Sequence, residues 1–130
     1  MIAYTMVGIH DLDRACRFYD PLFAAMGQER CYRDDEVATW GQASDESAPR
    51  FTAGYPFDRD TASIGNGVMT AFLVPDAGLI DELHDLALQH GGSSEGAPGP
   101  RPQYSAGFYA AYVRDPDGNK IAFISYDYRA

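Results

Sequence analysis

The chain contains 130 residues, of which 45% are apolar, and its 19 acidic and 10 basic side chains give a formal net charge of −9. This is the length of one domain that buries roughly two thirds of its unfolded surface, so residues 1–130 are expected to form a single domain. Nucleic acid is excluded as a partner because phosphate binding requires clustered Lys and Arg, and Lys120 is the sole lysine. The acidic field favours a cationic or neutral small molecule over an anionic one.

Neither membrane insertion nor export is expected from this sequence. No apolar run approaches the ~20 residues that cross a bilayer, and the first residues lack the basic and then apolar pattern of a secretory signal. We therefore predict no membrane partner and a cytoplasmic location. Cys16 and Cys31 lack a Cys-x-x-Cys spacing, so neither a disulfide framework nor a zinc knuckle is predicted.

The first half of the chain begins with a strand that leads directly into a helix. Residues 3–9 are apolar and rich in β-forming types, and Asp11 can cap the helix that follows. Gly27 supplies a left-handed stop, while Pro21 predicts either a kink or a second short helix capped by Asp20. The apolar residues that recur at three- and four-residue steps are Leu12, Ala15, Phe18, Tyr19, Leu22, Phe23 and Met26.

The same design returns 65 residues later, at half the length of the chain. Residues 68–74 are predicted to form a strand, Asp76 to cap a second helix, and Gly91-Gly92 to end it. The shift of 65 pairs caps, core positions and stops with one another: Asp11 with Asp76, Phe18 with Leu83, Phe23 with Leu88, and Gly27 with Gly92. We interpret the chain as a tandem repeat.

Short strands are predicted after each helix. They span 31–33, 37–41 and 51–55 in the first half, and 107–114 and 120–126 in the second half. The sequence Asp115-Pro116-Asp117-Gly118-Asn119 is typical of a hairpin turn between the last two strands. Residues 93–106 are rich in Pro and Gly and are predicted to form a loop, either over a binding site or as a solvated connection.

These elements predict an α+β fold of two tandem βαβββ modules, at about residues 1–65 and 66–130. The half-sheets are expected to form a curved mixed sheet with a concave pocket, and the helices to lie on its convex side. A concavity lined by one face of the strands is a typical site for a small molecule.

Three motifs resemble a known family: Val7 to Ala15 with Phe18-Tyr19-Asp20, Gly65-Asn66-Gly67, and Asp115 to Ile121. Together they resemble the vicinal oxygen chelate superfamily, which includes glyoxalase I, extradiol dioxygenases, bleomycin-resistance proteins and fosfomycin-resistance enzymes. Residues 95–102, Glu-Gly-Ala-Pro-Gly-Pro-Arg-Pro, are similar to a subgroup of small bacterial glyoxalase-like members. The resemblance covers the full length of the chain.

Enzymes of this superfamily typically bind a divalent metal through inward-facing residues of the first, fifth and last strands. The resemblance assigns these positions to Tyr4, Met69 and Ala122, and the first two are also related by the shift of 65. Neutral tyrosine and thioether are poor ligands for hard or borderline divalent ions, and alanine has no donor atom. We therefore predict that the usual metal site is absent and that the protein has no cofactor.

The histidines favour structural roles. His10 with Asp11 and Asp13 suggests a metal cluster, but a solvated turn histidine is the simpler interpretation. His84 and His90 are six residues apart on one predicted helix. They therefore face different directions and are not expected to form a chelating pair.

The carboxylates of the last turn are not predicted to be catalytic. Asp115 and Asp117 are interpreted as turn residues that bond to nearby backbone, rather than as a general acid and base. No Ser-His-Asp or Cys-His arrangement and no phosphate-binding loop is recognisable, so nucleophilic and phosphoryl-transfer chemistry are not predicted.

Strand alternation predicts which side chains line the concave face. If Val7 and Ile9 face the first helix, then Tyr4 and Met6 point to the opposite side, and the same parity applies to the fifth and eighth strands. We expect a single cavity to gather the largest of the lining residues, although such side chains also fill ordinary cores. The predicted ligand-binding residues are Tyr4, Met6, Trp40, Tyr55, Met69, Ala122 and Ile124, with Tyr4, Trp40, Tyr55 and Met69 around the cavity.

The leading hypothesis is a metal-free glyoxalase-like protein that binds a small organic molecule, as bleomycin-resistance proteins do. An alternative is a metal-dependent lyase, isomerase or dioxygenase of the same superfamily with displaced ligands. A third hypothesis is a metal-free enzyme that uses Tyr4 or Tyr55 as acid or base. The resemblance also implies a homodimer that forms through sheet edges.

Overall fold

The computed structural model describes all residues from 1 to 130. Each half of the chain contains one strand, one helix and then three strands. In chain order the elements are β1 (Tyr4–Gly8), α1 (Leu12–Ala25), β2 (Glu29–Arg33), β3 (Val37–Gly41), β4 (Arg50–Gly54), β5 (Thr70–Leu73), α2 (Ala77–Gln89), β6 (Ser93–Pro100), β7 (Tyr109–Arg114) and β8 (Lys120–Ser125). Neither helix has the length and apolarity needed to span a bilayer.

The strands form two four-stranded sheets with the same topology. In the first sheet the order is β1-β4-β3-β2, with β1 parallel to β4 and the other pairs antiparallel. In the second the order is β5-β8-β7-β6, with the same directions. The predicted pair of βαβββ modules is thus confirmed. Each module keeps its own hydrogen-bonded sheet, because no ladder joins β1 to β5.

Both predicted helix caps are confirmed. The Asp11 carboxylate accepts a hydrogen bond from the backbone N–H of Arg14 at 3.1 Å, and Asp76 accepts one from Leu79 at 2.8 Å. Each bond satisfies an N–H group that has no partner within its helix. The two modules therefore begin their helices in the same way.

Pro21 lies inside α1, which is one helix rather than the predicted alternative of two. Proline removes one helical hydrogen bond, but Tyr19 and Leu22 on either side are buried, and their packing outweighs that loss. Asp20 does not cap a second helix. Its carboxylate instead accepts a hydrogen bond from the indole of Trp40 at 2.8 Å.

When the two modules are compared by the shift of 65 residues, α2 ends one residue earlier than α1, because α1 has 14 residues and α2 has 13. The left-handed residues are Gly27, with φ 75°, and Gly91, with φ 101°. The predicted pairing of Gly27 with Gly92 is therefore wrong by one residue, because α2 stops earlier. The pairing of Phe23 with Leu88 is also wrong, since Phe23 is 5% exposed and Leu88 is 41% exposed.

Residues 93–100 form strand β6, which corrects the prediction of a loop over this range. β6 is an edge strand that pairs only with β7, and its register shifts between Ser94 and Gly96 and again between Gly96 and Gly99. Proline has no backbone N–H group to donate to a neighbouring strand. At bulged and edge positions that N–H group is not needed for strand pairing. Pro98 falls within the second shift, so the strand tolerates it.

One hydrophobic core extends through both modules, between the helices and the sheets. Trp40 and Phe51 of the first sheet pack against Tyr19 and Phe23 of α1. Phe72 of β5 reaches the same cluster edge-on, with ring centroids 5.3 Å from Phe23 and 5.2 Å from Phe51. Such aromatic pairs stabilise beyond their buried area. The modules therefore share a core although their sheets are not hydrogen-bonded to each other.

The turn between β7 and β8 has the predicted chemistry at Asp115. One carboxylate oxygen accepts hydrogen bonds from the backbone N–H groups of Asp117 and Asn119, both at 2.9 Å. The other accepts one from the Tyr19 hydroxyl at 2.6 Å. Burial raises the pKa of the Asp115 carboxyl above its ordinary value, although these hydrogen bonds oppose the shift.

Asp117 departs from the predicted local role. Its carboxylate accepts hydrogen bonds from the backbone N–H of His10 at 2.9 Å and from the Arg14 guanidinium at 2.6 Å, both in the first module. The Asn119 side chain also donates to the carbonyl of Gly8 at 2.8 Å. The turn therefore attaches the second module to the start of α1.

Candidate functional site

Strand β1 alternates as predicted. Val7 and Ile9 belong to the main core beneath the helices. Tyr4 and Met6 lie on the opposite, open face of the first sheet, where they are 64% and 46% exposed. Both residues are accessible to solvent.

The open face of the second sheet also follows the predicted parity. Phe123 of β8 is part of the main core, whereas Ala122 and Ile124 form a separate cluster with Ala110 of β7. Met69, directly before β5, is 44% exposed. Ala122 and Ile124 therefore lie on the predicted face of the second sheet, and their role in ligand binding stays a prediction.

Trp40 is on the helix side of the first sheet, which corrects its predicted place on the concave face. It is fully buried, and its indole stacks on Phe23 of α1 with centroids 5.5 Å apart. In β3, Ala38 is buried on the same face as Trp40, while Thr39 points the other way and bonds to Thr52. Trp40 is therefore a core residue.

Tyr55 is also wrongly predicted to face the concavity. It follows β4 and packs against the main core, and its hydroxyl accepts a hydrogen bond from the backbone N–H of Leu12 at 3.1 Å. This contact supports the first turn of α1. The expected single cavity around Tyr4, Trp40, Tyr55 and Met69 is not formed.

A cavity of about 520 Å³ opens instead on the face of the second sheet that points away from α2. Tyr104 and Phe108 form an edge-on aromatic pair with centroids 5.3 Å apart. Phe108 and Tyr112 rest on the cluster of Ala122 and Ile124, which therefore support the cavity from below. The lining residues are Met69, Glu95, Gly96, Arg101, Tyr104, Phe108, Tyr112 and Lys120.

Two cationic side chains lie close to the ring of Tyr112. The Arg101 guanidinium carbon lies 5.7 Å from the ring centroid, and the Lys120 ammonium nitrogen lies 5.5 Å from it. Both are within the range of a cation–π contact. Arg101 is fixed by hydrogen bonds to the carbonyls of Gly99 at 2.8 Å and Ala97 at 2.7 Å. Burial raises the pKa of Tyr112, so its phenol is neutral at pH 7.

Glu95 is the one carboxylate in the lining, and it is paired. The Arg114 Nε donates a hydrogen bond to Glu95 Oε1 at 2.9 Å. This bond and the positive charge of Arg114 hold the pKa of the Glu95 carboxyl below its ordinary value. Glu95 is therefore a carboxylate at pH 7, with its charge balanced by Arg114.

The three positions matched to metal ligands do not fit a divalent ion. Ala122 is fully buried and has no donor, Met69 offers a thioether, and Tyr4 does not line the cavity. No group of three or more His, Cys, Asp or Glu side chains gathers in an arrangement that could hold a metal. Most side chains of the cavity are instead aromatic or cationic.

His10, Asp11 and Asp13 do not form a metal cluster. His10 lines a polar cleft of about 580 Å³, and its ring nitrogens lie 2.8 Å from the carbonyl of Ala62 and 3.2 Å from Asp117. The expected solvated turn histidine is thus only half exposed and has partners at both nitrogens. Asp11 caps α1, and Asp13 pairs with Arg33.

The helix α2 histidines are separated as predicted. His84 is buried and lies 2.9 Å from the Ser94 hydroxyl of β6. His90 is the exposed C-cap of the helix. They form no pair, and His84 helps to hold β6 on the helix.

Sequence reasoning missed most of the cavity, although β7 carried a usable signal. Ala111 and Val113 belong to the main core, so alternation sends Ala110 and Tyr112 to the open face. The parity used for β1, β5 and β8 would have found Tyr112. Arg101 precedes β7 in an irregular segment, where neither the helical nor the strand periodicity predicts the direction of a side chain. The missed lining residues are Glu95, Gly96, Arg101, Tyr104, Phe108, Tyr112 and Lys120.

The chain is similar to known proteins over nearly its whole length. Residues 1–123 match the model of the Glyoxalase/Bleomycin resistance protein/Dioxygenase superfamily. A solved glyoxalase/bleomycin resistance protein from Albidiferax ferrireducens T118 is 30% identical, with a TM-score of 0.85 over 96% of this chain and 98% of that chain. No curated protein matches the chain.

Two further solved structures show the same fold at lower identity. A glyoxalase-related enzyme from Fulvimarina pelagi is 21% identical, with a TM-score of 0.74 over 96% of this chain and 87% of that chain. A lactoylglutathione lyase from Agrobacterium tumefaciens is 21% identical, with a TM-score of 0.66 over 96% of this chain and 92% of that chain. The chain therefore belongs to the Glyoxalase/Bleomycin resistance protein/Dioxygenase superfamily, as its motifs predicted.

Proposed function

We propose that the protein binds a small organic molecule in the cavity of the second module, and that it does so without a metal ion. The supporting observation is the cavity of about 520 Å³, whose wall is built from Tyr104, Phe108 and Tyr112. This volume lies in the range of small-molecule sites, which are mostly apolar with a few polar groups that set orientation. The family includes bleomycin resistance proteins, and a binding role agrees with that membership.

The chemistry of the lining suits binding better than proton transfer. The raised pKa of Tyr112 makes its phenol a poor base at pH 7, and Glu95 is held as a paired carboxylate by Arg114. The aromatic rings offer flat apolar contact, and the Met69 side chain can adjust to the shape of a ligand. We therefore favour binding over catalysis.

The test uses three probes of one shape and different charge: 2-naphthoate, 2-naphthamide and 2-naphthylmethylammonium. Each is titrated into isotope-labelled protein, and the affinity and the shifted amide signals are recorded by NMR. We expect at least one probe to shift the signals of Gly96, Tyr104 and Tyr112. Binding of none of the three in this cavity would overturn the proposed function.

A matched pair of variants tests whether the cavity is the site. Tyr104 lines the cavity and is 65% exposed, whereas Tyr32 is 52% exposed in the first module. We expect Tyr104→Ala to weaken the tightest probe about tenfold, the scale of one lost aromatic contact. Tyr32→Ala should leave the affinity unchanged. Equal weakening by both variants would contradict the assignment.

A further inference from the structure

The cavity has the opposite charge balance from the chain as a whole. The chain carries a formal net charge of −9. The cavity is lined by Arg101, Lys120 and Glu95, and the Glu95 carboxylate is already paired with Arg114. Two positive charges therefore remain in the lining without a carboxylate of their own.

Neither cation is neutralised by the rest of the protein. Arg101 donates to the backbone carbonyls of Ala97, Gly99 and Pro100 and to no carboxylate. Lys120 belongs to none of the ion pairs and lies over the Tyr112 ring. Its charge helps to lower the pKa of Glu95, but Arg114 holds the hydrogen bond to that carboxylate. The arginines that do pair with acids are Arg14, Arg30, Arg33, Arg59 and Arg114.

The free donors point to a specific ligand chemistry. A guanidinium has five N–H groups, and the three bonds of Arg101 leave its Nε–H and one Nη2 hydrogen available. Together with the Lys120 ammonium, these can donate charge-assisted hydrogen bonds to an acidic group. Tyr104 and Phe108 supply an aromatic wall for the rest of the ligand.

We propose that this cavity selects an organic anion with a planar apolar body, such as an aromatic carboxylate. The inference rests on the proposed function, because it specifies the ligand of the same cavity. The anionic group lies between Arg101 and Lys120, and the planar body lies against Tyr104 and Phe108. An anion also satisfies the two cations, which a neutral ligand of the same shape leaves unpaired.

An anionic ligand is opposite in charge to the ligand that the net charge of the chain favours. The difference is explained by the distance between the ligand and the acidic side chains. Charges on the protein surface are screened over about 8–10 Å at physiological ionic strength. The two lining cations would contact the ligand directly, whereas most of the acidic side chains lie elsewhere on the surface. Local charge therefore decides which ligand binds.

The experiment compares the affinities of the three naphthalene probes for the folded protein at low and high salt. We expect 2-naphthoate to bind about tenfold more tightly than 2-naphthamide at low salt, and 2-naphthylmethylammonium to bind most weakly. Added salt should narrow the difference between the anion and the amide. Equal affinities, or preference for the ammonium, would overturn the inference and leave the proposed function standing.

Charge variants with a matched control complete the test. Lys120→Gln and Arg101→Gln should each reduce the preference for 2-naphthoate over 2-naphthamide by about threefold or more, while Arg129→Gln, outside the cavity, should not change it. Arg101→Gln also loses bonds to the backbone, so Lys120→Gln is the cleaner variant. A preference that survives both substitutions would overturn the inference. Binding of no probe would overturn it together with the proposed function.

Discussion

The Tyr19 hydroxyl donates a 2.6 Å hydrogen bond to the carboxylate of Asp115, which is 96 residues further along the chain. Burial first, and then the Asp115 charge, raise the pKa of Tyr19 well above its ordinary value. The fold therefore requires the neutral phenol. This contribution to stability is fully present below about pH 10 and is lost as pH rises towards the folded-state pKa.

We expect Tyr19→Phe to lower the free energy of unfolding by about 1–3 kcal/mol at pH 8, because Asp115 loses a buried donor. Above pH 10 the variant should lose stability less steeply than the wild type, since it has no phenol to titrate at this site. Urea unfolding at stepped pH measures both effects. Tyr4→Phe, at a residue 64% exposed, serves as the control and should follow the wild type. A Tyr19→Phe curve parallel to that of the wild type would contradict the assignment.

Trp40→Ala should destabilise the domain by about 3–5 kcal/mol, the usual cost of emptying a buried aromatic site. Trp40 is fully buried against Phe23, and its removal also leaves Asp20 without the indole donor. This outcome follows from the core position of Trp40, whereas a residue on the concave face would instead contact a ligand. Chemical denaturation measures it. Wild-type stability with weakened probe binding would contradict the core position.

Gly96→Ala tests the shape of the cavity. A Cβ at Gly96 would lie 2.9 Å from Cδ2 of Tyr112 and 3.6 Å from Nη2 of Arg101, so the ring must move. We expect 2-naphthoate to bind at least about threefold more weakly, with a stability change within about 1 kcal/mol. Gly78→Ala in α2, where the nearest atom is 3.4 Å away, should leave the affinity unchanged. Unchanged affinity in Gly96→Ala would indicate that the probe binds elsewhere.

The protein purified without an affinity tag should contain far less than one equivalent of zinc, nickel, iron or manganese. The reason is the donor set, since Tyr4, Met69 and Ala122 stand at the positions matched to metal ligands. Elemental analysis by mass spectrometry measures the content. One equivalent of any of these metals, lost on Met69→Ala but retained in Met26→Ala, would contradict the proposed metal-free binding.

We expect a homodimer in solution. Each sheet ends in strands with an unpaired edge, and Leu73 at the end of β5 is 69% exposed. A partner related by twofold symmetry can cover such edges and apolar surface. Light scattering at micromolar concentration should give twice the 14.3 kDa mass of one chain. Leu73→Glu should shift the protein towards monomer, and Leu88→Glu on the exposed face of α2 should not. A monomeric wild type would refute the proposal.

The fold was largely predictable because its signals are local. Asp11 and Asp76 precede apolar periodic segments, and a capping bond spans only three residues. The parity of β1 was assigned by expecting the branched side chains of Val7 and Ile9, next to the start of α1, to face that helix, and both are core residues. In β3, by contrast, Val37, Ala38 and Trp40 are apolar on both faces, so alternation does not determine which face meets the helix.

The candidate site was less predictable because it depends on tertiary contacts. The burial of Trp40 is accompanied by a bond to Asp20 on another element, which no spacing in the sequence reveals. Arg101 reaches Tyr112 from an irregular segment beside a bulged strand, where neither helix nor strand period applies. Phe108 and Tyr112 in the predicted strand 107–114, and Lys120 at the start of β8, could have been found by extending the alternation rule.

Strand β8 lies between β5 and β7, although it follows both in the chain. During synthesis on the ribosome, the second sheet therefore lacks one of its two central strands until residues 120–125 have been made. Until then β5 has no partner strand, and Phe72, which reaches the aromatic cluster of the first module, has no sheet behind it. The native state can therefore form only after β8, the last strand of this module, has been synthesised. Its formation also requires contacts between residues far apart in the sequence, which is typical of slowly folding proteins.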